Sequence, residues 1–187
     1  MGPPLSVLAT YRHPSPPRLH PPPRAAAAAA AMPPSFSRLS QEMRELSRGD
    51  GKASEGVELA PNENSIFHWE ATLLGPEGTG YEGGLFRLDI QVPEEYPLAP
   101  PNVRFRTRVF HPNVHFKTGE VCLDILKQHW SPAWTLQSVC QAVLALLSSP
   151  EPDSPLNCDA GNLLRCGDER GYRSLARMYT IEFASTR

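Results

Sequence analysis

One thiol in this chain stands where chemistry could happen. Cys122 lies inside HPNVHFKTGEVCLDILKQHWSPAW, the stretch from His111 to Trp134. His111-Pro112-Asn113 precedes it, and the apolar residues Leu123, Ile125 and Leu126 follow it. Free cysteine is among the most buried residue types, so a packed, inert thiol is the plain alternative. Asn113 points the other way. A thiolate attacking an activated carbonyl creates a tetrahedral oxyanion, and a side-chain amide N–H is a suitable fixed donor for it. Pro112 restricts the backbone beside that asparagine. Lys117-Thr118-Gly119-Glu120 reads as a tight turn with Gly119 supplying the unusual φ, and such a turn folds Cys122 back towards Asn113. Asn113 could instead only cap its own turn through local backbone hydrogen bonds, which asparagine often does.

These residues carry a family resemblance. His111-Pro112-Asn113, then Cys122-Leu123-Asp124-Ile125-Leu126, then Trp130-Ser131-Pro132-Ala133-Trp134 resembles the active-site signature of ubiquitin-conjugating enzymes. Gly75-Pro76-Glu77-Gly78-Thr79-Gly80-Tyr81-Glu82-Gly83-Gly84 is similar to that family's hairpin motif, and Tyr96-Pro97-Leu98-Ala99-Pro100-Pro101 to its proline-rich loop. The resemblance covers about residues 36–184. Within the family, HPNVHFKTGEVCLDILK, SPAWTLQSVC and PEPDSPLNCDAGNLLR most resemble the peroxisomal branch, and the loop from Asn113 to Cys122 is one residue longer than in most members.

The resemblance implies a reaction and a set of partners. Cys122 would take the ubiquitin C-terminus from an activating enzyme as a thioester, then pass it to a lysine or cysteine with a RING ligase holding the complex. Asn113 would stabilise the oxyanion or order its loop, and His111 would be a packed structural residue. Ser154, 32 residues after Cys122, matches the family's gate position, where an Asp could orient and deprotonate an incoming lysine. Serine hydrogen-bonds but cannot take that proton at neutral pH. Either Asp153 contributes, or the acceptor is a cysteine, which needs less help. Pro97, Leu98, Ser131, Pro132 and Ala133 match the ligase-docking loops; loop rigidity alone is the plain alternative for each. Two exposed apolar loops together favour a protein interface. Arg44 matches the basic residues of the first helix that dock on the activating enzyme and on ligases, while Gln41 stands where the family is often basic. The implied partners are ubiquitin, its activating enzyme, a RING ligase, a membrane-anchored recruiting protein of the peroxisome and the import receptor as substrate. No cofactor is implied, since ATP is used by the activating enzyme. The implied place of work is the cytosolic face of the peroxisome membrane.

Other functions compete. A cysteine protease would pair Cys122 with His111 or His115 and an orienting Asn or Asp, which leaves the docking loops unexplained. A non-catalytic scaffold of the family normally lacks the cysteine. A conjugating enzyme for another ubiquitin-like modifier would share every motif named above.

Composition sets the bounds. With 187 residues, the chain holds one domain of about 150 residues plus a tail, enough to be stable without disulfide or metal. The net charge of −2 argues against nucleic acid as the main partner. No run approaches the roughly 18 consecutive apolar residues of a membrane-spanning helix. None of Cys122, Cys140, Cys158 and Cys166 forms a C-x-x-C pair, and no zinc spacing is completed, so no metal is expected. Cys140 reads as helix core, and Cys158 and Cys166 as buried thiols or a redox-sensitive pair. Reduced thiols are expected in the cytosol.

The elements that must position Cys122 follow from pattern. Residues 1–34 hold ten prolines, seven consecutive alanines, three arginines and no acid, a composition expected to be disordered. Acid-free, arginine-containing composition also resembles a transit peptide, though the prolines interrupt its helix. Met32 is an alternative start. Helical spacing of Phe36, Leu39, Met43 and Leu46 predicts a helix from Ser35 to the Gly49–Gly51 stop, with Arg38, Gln41, Arg44 and Arg48 solvated. Strands are expected at Val57–Ala60, Ser65–Leu74, Leu85–Val92 and Asn102–Arg106, forming an antiparallel meander. Helices are expected at Leu136–Leu147, apolar nearly all round, and at Leu156–Arg165 and Arg170–Phe183. The expectation is an α+β domain over 35–184: a leading helix, a four-stranded antiparallel meander, a central buried helix, two C-terminal helices and a tail at 185–187.

Overall fold

The computed structural model describes residues 33–48 and 56–185. The extension expected at 1–34, apart from its last two residues, lies outside them, as do Met32, the Gly49–Gly51 stop and the last two residues of the tail. Helix α1 spans Pro34–Arg48, and Pro34 suits its first position because an N–H there would lack a helical partner anyway. A four-stranded antiparallel meander follows, in the order β1 (Val57–Asn62), β2 (Ser65–Leu74), β3 (Leu85–Gln91) and β4 (Asn102–Phe105). After a short 3-10 turn at Asp124–Leu126 come α2 (Leu136–Ser148), α3 (Cys158–Arg165) and α4 (Glu169–Tyr179). The expected α+β fold is the one observed.

Alternation along the strands builds the core. Trp69 pairs with Ile90 and Ile90 with Val103; Ala71 pairs with Leu88 and Leu88 with Phe105. All six are buried, so one face of the sheet is a continuous apolar surface. Helix α2 contacts β1 and β2, and its Val139, Cys140 and Val143 belong to the same core. Gln141 and Ala145 lie on the exposed side of α2. On the sheet's other face Asp89 is buried, held by His68 Nε2 at 2.6 Å, Arg104 Nε at 2.8 Å and Arg106 Nη2 at 3.1 Å.

Two expectations about α1 are corrected. Its buried residues are Ser35, Leu39 and Glu42, and Met43 is 37% exposed. The helix turns Glu42 inward because three donors wait there: Arg38 Nε at 2.7 Å, the Tyr96 hydroxyl at 2.6 Å and the Leu136 N–H at 2.8 Å. The Leu136 N–H opens α2, where a first-turn donor has no helical partner, so the carboxylate satisfies it. Arg38 is therefore not a solvated residue. Its guanidinium also donates to the Trp134 carbonyl at 3.0 Å and so ties α1 to the segment entering α2.

Candidate active site

Cys122 is placed by the turn that precedes it. Gly119 has φ +74°, and a Cβ there would lie 2.0 Å from the Phe105 carbonyl oxygen, so only glycine fits. The Gly119 N–H donates to the His115 carbonyl at 2.9 Å, the His115 N–H to the Glu120 carbonyl at 2.8 Å, and Val114 bridges Val121. The chain thus doubles back, and the Cys122 N–H donates to the Asn113 carbonyl at 2.8 Å. Val121 is buried and Cys122 half-buried, which leaves the thiol at the surface on a fixed backbone.

The Asn113 side chain does not cap its own turn. It reaches a segment 38 residues away: Nδ2 donates to the Glu151 carbonyl at 2.8 Å, and Oδ1 accepts from the Glu151 N–H at 2.8 Å. The neighbouring Pro112 carbonyl accepts from the Leu156 N–H at 2.8 Å and the Asn157 N–H at 2.9 Å. The loop carrying Asp153 and Ser154 is therefore pinned at both ends by the dipeptide that also holds Cys122. Asp153 and Ser154 are both exposed. α3 starts at Cys158 and not at Leu156 because Asn157 is extended (φ −110°, ψ 98°) and caps the helix by accepting from the Ala160 N–H at 3.3 Å.

His111 supports this junction and is no base. It is fully buried, its Nε2 donates to the Leu146 carbonyl at 3.0 Å, and its Nδ1 accepts from the Asn113 N–H at 3.1 Å. That pattern fixes the proton on Nε2 and leaves the ring neutral. Burial pushes its pKa down to about 4, against a smaller opposing pull from the Leu146 carbonyl.

A group that the sequence reading passed over touches the thiol. Lys127 Nζ lies 3.2 Å from Cys122 Sγ. The turn at Asp124–Leu126 brings it there, with the Lys127 N–H donating to the Asp124 carbonyl at 3.0 Å. The five-residue spacing alone carried no signal, because it fits neither a helix face nor a strand face. The other thiols divide: Cys140 is fully buried, which pushes its pKa up to about 12, while Cys158 and Cys166 are exposed and so are not buried thiols.

A second cluster gathers the expected docking residues. Trp130 Nε1 donates to the Pro97 carbonyl at 2.8 Å, and the Tyr96 and Trp130 rings lie 6.0 Å apart, so the two loops form one surface. Leu98 is 80% exposed, and Ser131, Pro132 and Ala133 are exposed beside Trp130. Arg44 is exposed on α1, with its Nε on the Ser40 carbonyl at 3.0 Å. Glu42, hydrogen-bonded to Tyr96, joins this surface to α1. Among the described residues, no three His, Cys, Asp or Glu side chains group as a metal site.

A meander backed by helices, with a half-exposed cysteine clamped to an HPN segment, has its counterpart among known proteins. The family model for ubiquitin-conjugating enzyme matches residues 38–180, and the chain belongs to that family of transferases. Among its relatives, Protein PEROXIN-4 of Arabidopsis thaliana is 60% identical over 149 residues, 80% of this chain and 94% of the relative. Ubiquitin-conjugating enzyme E2 pex4 of Dictyostelium discoideum is 55% identical over 145 residues, 77% and 95% of the two chains. The solved structure of H. polymorpha Pex4p, in complex with the soluble domain of Pex22p, superposes with a TM-score of 0.77 at 38% identity over 82% of this chain and all of that one. The resemblance to the peroxisomal branch is thus matched by relatives that carry the peroxin-4 name.

Proposed function

We propose that Cys122 accepts ubiquitin from an activating enzyme as a thioester and hands it, with a RING ligase on the Leu98–Pro132 surface, to a lysine or cysteine of the peroxisomal import receptor. The observation that carries this reading is the placement of a half-exposed thiol on a backbone bonded to Asn113, beside a loop pinned by the same dipeptide. In this reading the Cys122 thiolate attacks the activated carbonyl, and the second N–H of the Asn113 amide serves the oxyanion. Asp153 or Ser154 receives the acceptor at the exposed gate. Arg44 contributes to docking on the activating enzyme. The chain itself needs no cofactor, ATP being spent by the activating enzyme. The relatives' peroxin names, and the Pex22p complex of one of them, support recruitment by a membrane-anchored partner to the cytosolic face of the peroxisome. Among the described residues no helix is long and apolar enough to cross a membrane, which is compatible with such recruitment.

The test is charging with ubiquitin, activating enzyme and ATP, read on a non-reducing gel for the parent and Cys122→Ala. The expected result is a band one ubiquitin heavier that thiol collapses and the variant lacks. No band, with an activating enzyme that charges a control, would sink the reading and direct attention to another modifier or a scaffold role.

A further inference from the structure

One concave site on this chain is basic and has no part in the reaction. A cavity of about 260 Å³ lies between the end of β4 and the turn before Cys122. Arg104, Arg106, Arg108, His115 and Lys117 line it, and no acidic side chain does. We infer that this cavity takes the phosphomonoester headgroup of a membrane lipid, so that the chain grips the bilayer by its own surface as well as through a recruiting partner. The thioester is not needed for this. The membrane as source of the phosphate rests on the recruitment proposed above.

The positive charge in the wall is not all spent within the protein. Arg104 and Arg106 both donate to Asp89, and Arg106 also to Glu70 at 3.0 Å, so these two are largely balanced. Arg108 and Lys117 are exposed and have no carboxylate partner among the described residues. The Arg108 guanidinium lies 5.4 Å from the centre of the Phe183 ring, which steadies it and leaves its N–H groups for another acceptor. His115 Nδ1 accepts from the Thr118 N–H at 3.1 Å, so the neutral ring carries its proton on Nε2, a further donor. A phosphomonoester brings about −1.5 to −2 charges and three acceptor oxygens, and arginine forks match it bidentately. The volume falls below the roughly 300–1,000 Å³ of pockets for larger ligands, which suits one phosphate group and not a nucleotide.

What stands beside the cavity favours a bilayer over the free ion. Phe116, next to Lys117, is 44% exposed, with its ring edge-on to Tyr179 at 5.8 Å. An exposed aromatic ring among basic residues beds into the headgroup layer of an anionic membrane. The chain's net charge of −2 gives no general attraction to such a surface, so the grip has to be local. Gly119, in the same wall, precedes Cys122 by three residues, which span at most about 11 Å. A lipid held there sets the thiol close to the membrane.

The experiment floats the full chain with phosphatidylcholine vesicles containing either phosphatidylinositol 4-phosphate or, at matched surface charge, phosphatidylserine. The parent should bind the phosphoinositide vesicles at least tenfold more tightly. Each basic residue at an anionic surface contributes roughly fivefold, so Arg108→Gln combined with Lys117→Gln should weaken that binding at least tenfold. Phe116→Ser should weaken it severalfold. These side chains are exposed, and the variants should melt like the parent. Equal binding to both kinds of vesicle makes the attraction diffuse, and undiminished binding by the double variant places it elsewhere, as on the acid-free residues 1–34. Either result overturns the inference. So does a parent that ignores the phosphoinositide vesicles, even where inorganic phosphate raises its melting point, since the cavity then serves the free ion. Failure to charge with ubiquitin while the vesicles still bind would sink the function proposed above and not this inference.

Discussion

The Asn113 side-chain amide closes a two-bond pair with the backbone of Glu151, both bonds 2.8 Å, across 38 residues of sequence. The asparagine thus shapes the loop that carries Asp153 and Ser154, before any role in stabilising charge. Replacing Asn113 by Ala leaves a backbone donor and acceptor unmet, at about 1–2 kcal/mol. For a domain of this size that corresponds to a melting point lower by about 2–8 °C. Discharge to acceptors should fall more than charging does. Equal losses in both steps would show that the loop bonds are not what matters.

His111 makes the domain acid-sensitive in a defined window. Its folded pKa of about 4 lies below its ordinary 6.5, so the unfolded chain takes up a proton that the folded chain refuses. Its contribution is fully present above pH 6.5 and is lost as pH falls towards 4, amounting to roughly 3 kcal/mol at most. Denaturant melts of the parent and His111→Gln should show a shallower decline in the variant over that window. Parallel curves would refute it.

Glu42 joins three elements from within. Removing the carboxylate in Glu42→Ala strands the Leu136 N–H and leaves the Tyr96 hydroxyl and the Arg38 guanidinium only the Trp134 carbonyl, at about 3 kcal/mol. The expected fall in melting point is about 6–12 °C. Glu42→Gln should recover part of it, since the amide oxygen can still accept. A loss within 1 °C would show that water replaces the carboxylate.

Leu98 tests the docking surface without touching the core. At 80% exposure, Leu98→Ala should change stability by no more than about 0.5 kcal/mol. Ligase-stimulated discharge should drop severalfold, with charging and unstimulated discharge unchanged. An unaffected ligase response would remove Leu98 from the interface.

Ser154 tests acceptor preference. If serine marks a gate tuned to cysteine, Ser154→Asp should speed discharge to free lysine by roughly tenfold or more, as a new general base would. Discharge to free cysteine should barely change. Comparable transfer to both acceptors from the parent and the variant would leave the preference unsupported.

The sequence by itself determined the order of elements, the strand faces and the family, because these rest on short-range periodicity, turn residues and contiguous motifs. β2 lies at the residues expected, and the other strand boundaries differ by one or two. Cys122 and its turn at Gly119 were equally legible, since a positive φ demands glycine locally. What only the tertiary structure decided was every pairing across long sequence separation. Glu42 carries no local signal of burial, because its donors Tyr96 and Leu136 lie 54 and 94 residues away. Arg38 looked solvated until the Trp134 carbonyl met it. Asn113 read as an oxyanion donor or as the cap of its own turn, and its amide was found on the Glu151 backbone. Lys127 lay near Cys122 in sequence, yet a 3-10 turn, which no periodic pattern announces, set its amine on the sulfur. Hydrogen bonds and ion contacts depend on where two groups end up, and only the packed core fixes that.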